Sequence, residues 1–319
     1  MKRYIAVFIL GIALIILTIW CFIGHEDKKD KIVVAEVTHS VFYAPWYVAL
    51  NNGYFENLDI EVILTSGANN VISAVLSGDA NIGLCGAEAT IYVNDELNDK
   101  IKSFAALTKR DGQFLVLRND ITYNEFSDLN GKTILAGRAG GMPLLSFTTA
   151  LKKKGINNVT IDSSIDFANL TSAFIAGNGD GVNLFEPNAT KLVQNGYGYI
   201  ATMIGTHSGI VPYTTFNAKE SYIKNHTNEL KIFFEGINKG LNYVHNHSAK
   251  EIANIIRKEF PDTKIEDLEI MIQNYKENDS WFTTSDLSKE SFNNLENMLI
   301  DNNEIKNKYK FNDLVYEFN

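Results

Sequence analysis

The sequence predicts an α/β protein of two lobes, and three features carry that prediction. Short apolar runs of strand length alternate with helical stretches from residue 31 to about residue 217, the pattern of mostly parallel sheets flanked by helices. Two extended apolar runs, Phe114–Leu117 and Val211–Asn217, bracket a second βα series, as expected of two lobes joined by a two-strand hinge. After residue 218 helix follows helix, and these helices are expected to pack back on the first lobe. The expected division is residues 1–30 as signal or anchor with a linker, 31–116 together with 217–319 as lobe 1, and 117–216 as lobe 2.

Composition narrows the function. A chain of 319 residues has room for two ordinary domains. With 45% hydrophobic and 21% charged residues it can bury a real core. Lys2, Arg3, Lys28, Lys29 and Glu26, Asp27, Asp30 fall in the first 30 residues, so 25 Lys and Arg face 35 Asp and Glu in the remainder. A body that acidic is a poor binder of phosphate backbones and is repelled by anionic lipid. Cys21 and Cys85 cannot form a disulfide framework, and no CxxC or Cys/His cluster suggests zinc. No metal or cofactor is expected. Cys85, in an apolar run, reads as a small buried thiol.

Lys2 and Arg3 precede Ile5–Ile23, an uncharged and almost wholly apolar stretch of 19 residues, near the roughly 20 needed to cross a bilayer. The basic end should stay in the cytoplasm and send the rest of the chain outside. Ile19 and Trp20 stand before Cys21 where a lipobox has small residues, so an uncleaved anchor is expected ahead of a cleaved or lipidated signal. Ile32–Val37 is then the first strand. Pro45 opens a helix through Asn51, which Gly53 stops. Asp59–Leu64 is a strand, and Val71–Leu76 a helix with Asn69 or Asn70 as cap. Ala80–Leu84, helix Glu88–Asn94 and strand Phe104–Leu107 complete the first series. In the second, Thr133–Ala136, Val159–Ile161, Gly181–Phe185 and Tyr197–Ala201 are strands. Pro143–Lys153, Phe167–Ala176 and Ala189–Gln194 are the helices between them. Glu229–His245 has apolar residues at helical spacing. Ser248-Ala249-Lys250-Glu251 is a capping box opening a helix to Phe260, which Pro261 ends. Thr263–Tyr275 and Ser288–Ile300 are two more helices.

Loops at the carboxyl ends of parallel strands are where such sheets bind small ligands. The loop after strand one carries His39, Phe42, Tyr43 and Trp46. The three rings could form a wall for a flat ligand, with Trp46 the one most suited to the core. His39 either donates to the ligand or caps its loop. Ser66 and Asn69 lie at one helix start, and Gly86 and Glu88 at another, where free N–H groups favour partial negative charge. Gly137-Arg138-Ala139-Gly140-Gly141-Met142-Pro143 lacks phosphate-loop spacing, but Gly140, Gly141 and Met142 would allow close backbone approach. Arg138 either clamps an oxyanion or serves as a surface or interlobe charge. Glu88 and Glu186 in an enclosed cleft would repel an anion and suit an amino group, ring N–H or cation.

Five segments resemble one known group. They are Thr38-His39-Ser40-Val41-Phe42-Tyr43-Ala44-Pro45, Tyr47–Phe55, Leu76-Ser77-Gly78-Asp79-Ala80-Asn81-Ile82-Gly83, Asp128-Leu129-Asn130-Gly131-Lys132-Thr133-Ile134 and Phe185-Glu186-Pro187. In order and spacing they resemble the extracytoplasmic solute-binding proteins of ABC importers in the nitrate, sulfonate, taurine and pyrimidine-precursor superfamily, the SsuA/THI5-like or NMT1-like group. The resemblance covers about residues 31–300. It implies a type II periplasmic-binding-protein fold, a small organic solute held in the interlobe cleft, hinge closure, permease and ATPase partners, and a monomer on the outer face of the membrane. Glu88, Glu186 and the aromatic residues point to a thiamin-type aminopyrimidine precursor, and Arg138 to a sulfonate, taurine or nitrate anion instead. An enzyme like the THI5-like pyrimidine synthases is disfavoured, since those resemble a chemistry using His and a Cys-rich motif. No Ser/His/Asp order supports an enzyme either, and His245 and His247, two apart, do not share a helix face. A membrane-tethered sensory or docking domain is the third class.

Overall fold

The computed structural model describes residues 30–137 and 139–318. The expected anchor at residues 5–23, Cys21 and Arg138 lie outside them. Among the described residues no helix is long and apolar enough to cross a membrane.

Two five-stranded sheets form the two lobes. The first contains β1 (Asp30–Glu36), β2 (Leu58–Leu64), β3 (Ile82–Cys85), β4 (Ile101–Thr108) and, from much later in the chain, β10 (Thr214–Lys219). Its order is β2-β1-β3-β10-β4. The second contains β5 (Phe114–Leu117), β6 (Thr133–Leu135), β7 (Thr160–Asp162), β8 (Gly181–Leu184) and β9 (Tyr199–Met203), in the order β7-β6-β8-β5-β9. In the first sheet β1 runs parallel to both neighbours, with Val34 opposite Val62 on one side and Ile82 on the other. β10 is antiparallel to β3 and β4, and β5 is antiparallel to β8 and β9. Each sheet thus takes as its fourth strand the one that has just arrived from the other lobe.

The crossings between sheets are residues 109–113 and 204–213. Of the runs expected to be hinge strands, Phe114–Leu117 lies inside lobe 2, and only the first part of Val211–Asn217, residues 211–213, belongs to a crossing. Phe114, Leu115, Val116 and Leu117 are all buried, and a run apolar on both faces belongs in the middle of a sheet.

Local signals worked as expected in some places and not in others. Pro45 sits in the first turn of α1 (Ala44–Asn51), after a 3-10 turn at Val41–Tyr43. α2 (Ala68–Ser77) is capped by Gly67, not by Asn69 or Asn70. The cap backbone needs φ 132°, which suits glycine alone, so the helix begins early and both asparagines fall inside it. α3 (Glu88–Asn94), α4 (Met142–Lys153), α5 (Leu170–Ile175) and α6 (Asn188–Gln194) follow the βα alternation. Two short helices, α7 (Gly205–Ser208) and α8 (Glu220–Asn225), were not legible in the sequence.

α9 (Thr227–Asn246) packs across α1 of lobe 1. A Cβ at Gly240 would lie 2.2 Å from the Pro45 carbonyl oxygen, so only glycine permits this approach. Beneath it Trp46, Phe55, Phe216 and Phe233 form an aromatic core with ring centroids 5.0–5.6 Å apart. The capping box opens α10 (Ala249–Ile256), with Ser248 Oγ accepting from the Glu251 N–H and the Glu251 carboxylate accepting from the Ser248 N–H at 2.9 Å. α11 (Ile265–Glu277) and α12 (Lys289–Asp301) come next. The C-terminal helices do not stay with lobe 1 alone. At the end of α12 Asn302 Oδ1 accepts from Thr148 Oγ1 and Lys152 Nζ of lobe 2, both at 2.9 Å. A last short helix, α13 (Phe311–Leu314), leads to Val315, which bridges to Ser103 of lobe 1.

Candidate functional site

The two lobes meet in a buried seam, and the first crossing runs through it. Lys109-Arg110-Asp111-Gly112-Gln113 is too short to form an element of its own. Its cations pair with the Asp279 carboxylate, Lys109 Nζ at 2.7 Å and Arg110 Nη2 at 3.1 Å, while Arg110 Nε is buried without a protein partner. Asp111 turns inward and is fully buried. Its Oδ1 accepts from the Gln113 N–H at 2.7 Å, while Oδ2 has no protein partner. The Ser146 and Tyr213 hydroxyls lie near enough to favour its charged form, yet neither makes a hydrogen bond of ordinary length. Burial outweighs them and pushes the carboxyl up to about 8. The return crossing packs on the first: a Cβ at Gly205 would lie 2.2 Å from the Asp111 carbonyl oxygen.

Phe42 is the aromatic centre of the seam. Its ring packs on the Gly112 backbone, where a Cβ would come within 2.4 Å of it. Around it stand Tyr275 at 5.2 Å, Phe185 of lobe 2 at 5.4 Å, and Tyr213 and Tyr43 at 5.8 Å between centroids. Its carbonyl accepts from Trp281 Nε1 at 2.7 Å. Glu88 is buried, and its carboxylate folds back over Gly86, where any side chain would collide with it. Burial raises the phenols of Tyr43 and Tyr213, and the Glu88 charge adds to that rise. Farther along, Gln113 Nε2 donates to the Asn183 carbonyl at 3.2 Å. Gln113 Oε1 and both polar atoms of the Asn183 amide are buried without a protein partner.

Aromatic rings and buried polar groups from the two lobes thus meet around the two crossings. A model of the family described as NMT1/THI5 like matches residues 41–251. The chain is 39% identical over 297 residues to "Putative binding protein YtlA" of Bacillus subtilis (strain 168), covering 91% of this chain and 89% of that one. The chain belongs to the NMT1/THI5-like family. Its fold is that of the periplasmic binding proteins. The alkanesulfonate-binding protein SsuA of Xanthomonas axonopodis pv. citri superposes with a TM-score of 0.70 at 12% identity, covering 90% of this chain and 98% of that one. A Candida albicans protein with the generic periplasmic binding protein fold gives 0.67 at 16% identity, covering 90% and 96%. With that family and those relatives, this NMT1/THI5-like chain is a binding protein and not an enzyme.

The structure sorts the residues that the sequence singled out. It brings Phe42, Tyr43, Gly86 and Glu88 to the seam. Gly140 and Gly141 start α4 at the seam's edge, where the Tyr92 hydroxyl of lobe 1 donates to the Gly140 carbonyl at 3.1 Å. Met142 is buried in the same core as Phe42. Trp46 is a correction: it is fully buried among Phe55, Phe216 and Phe233, in the lobe 1 core rather than the seam. Ser66 and Asn69 are exposed, outside the seam. His39 has both ring nitrogens engaged, with Glu36 Oε1 at 2.7 Å and the Glu259 carbonyl at 2.8 Å. It ties strand one to the C-terminal helices and does not reach the seam's polar centre.

Glu186 is the second correction. Its carboxylate accepts from the Thr190 N–H at 2.9 Å, the Thr190 hydroxyl at 2.7 Å and Asn274 Nδ2 at 3.3 Å. It caps α6 and has both oxygens taken. Its backbone joins the lobes, with Ser40 Oγ donating to its carbonyl at 2.7 Å and its N–H donating to Tyr275 Oη at 3.1 Å. Sequence reasoning missed Asp111, Gln113, Ser146, Asn183 and Tyr213. The one local signal for Asp111 and Gln113 was a polar stretch squeezed between the apolar runs at 104–107 and 114–117.

Proposed function

We propose that this protein is the extracytoplasmic solute-binding component of an ABC importer. It holds a small heteroaromatic solute bearing amino or ring N–H donors, of the aminopyrimidine kind, in the seam between its lobes. The observation that carries this reading is the seam's lining. Tyr213, packed on Phe42, lies beside the buried Asp111 carboxyl, Glu88 is buried in the same region, and the neighbouring cations Lys109 and Arg110 are paired with Asp279. Flat rings suit stacking against an aromatic solute. Buried carboxyl groups suit its N–H donors, and with Lys109 and Arg110 paired to Asp279 the described residues of the seam offer a sulfonate or nitrate no free counter-charge. Interlobe bonds from Ser40 to Glu186 and from Tyr92 to Gly140 hold the lobes together, and a solute that binds better to this arrangement shifts the protein toward it. The closed form is what a permease with its ATPase would recognise. The basic N-terminus and apolar segment Ile5–Ile23 support a place on the outer face of the membrane.

A thermal-shift panel on the full chain tests this, using aminopyrimidines, taurine, aliphatic sulfonates and nitrate. A solute present at a hundredfold its Kd should stabilise the chain by about 2.7 kcal/mol. The expected result is a rise with an aminopyrimidine and none with the anions. A rise with taurine, a sulfonate or nitrate alone would refute the assignment of solute class.

A further inference from the structure

We infer that Asp111, with Ser146 and Tyr213 beside it, is the residue that recognises the solute, and that it takes an edge offering a donor next to an acceptor, such as the amino group and adjoining ring nitrogen of an aminopyrimidine. This rests on the reading of the seam as an aminopyrimidine site. It replaces Glu186, whose two oxygens are both engaged by Thr190 and Asn274.

Three polar side chains with orphaned atoms meet here from three parts of the fold. Asp111 comes from the first crossing, Ser146 from α4 of lobe 2, and Tyr213 from the return crossing. Asp111 and Ser146 are fully buried and Tyr213 is 4% exposed. Asp111 Oδ2, Ser146 Oγ and Tyr213 Oη each lack a protein hydrogen-bond partner. Buried polar groups are almost always paired, and an unpaired carboxyl oxygen with two unpaired hydroxyls beside it makes a built polar site. The Phe42 ring flanks it, 5.8 Å from Tyr213, so a flat solute stacked there would present its edge to Asp111.

The carboxyl's protonation suits such an edge. The titratable groups facing it are Tyr213 and, on α11, Tyr275, both neutral phenols; Glu88 on α3 acts on Tyr213 from farther off. Arg110, next in the chain, is held by Asp279. Burial with no cation facing it leaves Asp111 largely protonated at neutral pH. A neutral carboxyl donates through its O–H and accepts through its carbonyl, matching an acceptor and a donor side by side.

The test is titration calorimetry on the full chain with 4-amino-2-methylpyrimidine, and with 2-methylpyrimidine, which lacks the amino donor, as control. Asp111→Asn keeps one donor and one acceptor and should bind within about tenfold of the native chain. Asp111→Leu removes both and should lose between about 10- and 100-fold. Tyr213→Phe keeps the ring and packing, so it stays informative if Asp111→Leu fails to fold; it should lose about tenfold. 2-Methylpyrimidine, which keeps the ring acceptor without the amino donor, should bind weakly throughout. Native affinity in Asp111→Leu or, should that variant not fold, in Tyr213→Phe would overturn the role of Asp111 while leaving the proposed function standing. Equal loss in Asp111→Asn and Asp111→Leu would overturn the donor–acceptor edge. Failure of the native chain to bind the probe would overturn the proposed function and this inference with it.

Discussion

Replacing Asp111 with Asn removes one titration from the seam while keeping its shape, and the consequence for stability can be worked out. In the unfolded chain this carboxyl ionises near its ordinary value of 3.8; in the folded seam burial holds it up to about 8. Between those values the folded state keeps a proton that the unfolded state releases. Stability must therefore fall as pH rises through that window, by about 1.4 kcal/mol per pH unit. By pH 7 the accumulated loss is ~4 kcal/mol relative to a residue that does not titrate. Asn does not titrate, so Asp111→Asn should gain on the native chain with that slope. The assay is urea unfolding of both proteins, free of solute, from pH 5 to pH 8, with the difference in unfolding free energy plotted against pH. His39 and every other titrating group is present in both proteins and drops out of the difference. A difference that does not change with pH would refute the buried, neutral state of Asp111.

Three other outcomes follow from the contacts. Trp46→Ala should lower stability by about 3–5 kcal/mol, as for any large ring removed from a core, and leave solute affinity intact; a large loss of affinity in calorimetry with a small change in melting would return Trp46 to the site. Glu186→Gln should cost about 1–3 kcal/mol of stability, because the amide replaces one of two acceptor oxygens with a donor facing Thr190. The same change should not discriminate between aminopyrimidines and anions, so selective loss of one class would show Glu186 touching solute. His39→Asn tests a pH effect of opposite origin to the usual carboxylate case. The bond to Glu36 raises the His39 pKa against the lowering effect of burial, so its stabilisation is complete below 6.5 and fades as pH rises through the raised folded value. The substitution should cost more at pH 6 than at pH 9 in denaturant unfolding, and an equal cost at both would remove the ion pair from the account.

Periodicity made the architecture legible because strands and helices bury apolar residues at fixed spacing, and Phe114–Leu117 or Glu229–His245 carry that spacing within a few residues. Pairing direction was not legible. Nothing local to Thr214–Lys219 says that it inserts antiparallel between β3 and β4, since that depends on a chain segment that leaves for the other lobe and returns. The site was half legible for a similar reason. Phe42 and Trp46 belong to one aromatic loop, four residues apart. Which of them faces the seam depends on α9, whose Gly240 approaches α1 and whose Phe233 packs on Trp46. Glu186 looked like a ligand carboxylate because its partners, Thr190 and Asn274, become partners only once α6 starts and α11 docks. Asp111 drew no notice because a lone acid between two strands reads as a loop residue. Its burial is made by Tyr213 and Ser146, far away in sequence.

On the proposed function, the orphaned atoms would couple binding to closing. When the lobes separate, water can reach Asp111, Ser146, Tyr213, Gln113 and Asn183 and satisfy them. When the lobes meet, protein groups leave Asp111 Oδ2, Ser146 Oγ, Tyr213 Oη, Gln113 Oε1 and the Asn183 amide without partners. Each buried polar group left in that condition costs about 1–3 kcal/mol. Closure without a solute is opposed by that cost, and it is favoured by the Ser40 and Tyr92 bonds and by the Phe42 ring cluster. A solute that supplies the missing partners removes the opposing cost in the closed form alone, because water already supplies them in the open form. That difference is what shifts a two-state equilibrium, and moving one from 1:99 to 99:1 takes about 5.5 kcal/mol. Two or three satisfied groups are of that size. A solute that merely stacked on Phe42 would bind without closing the lobes, so the polar atoms of the seam, more than its rings, make the protein a receptor.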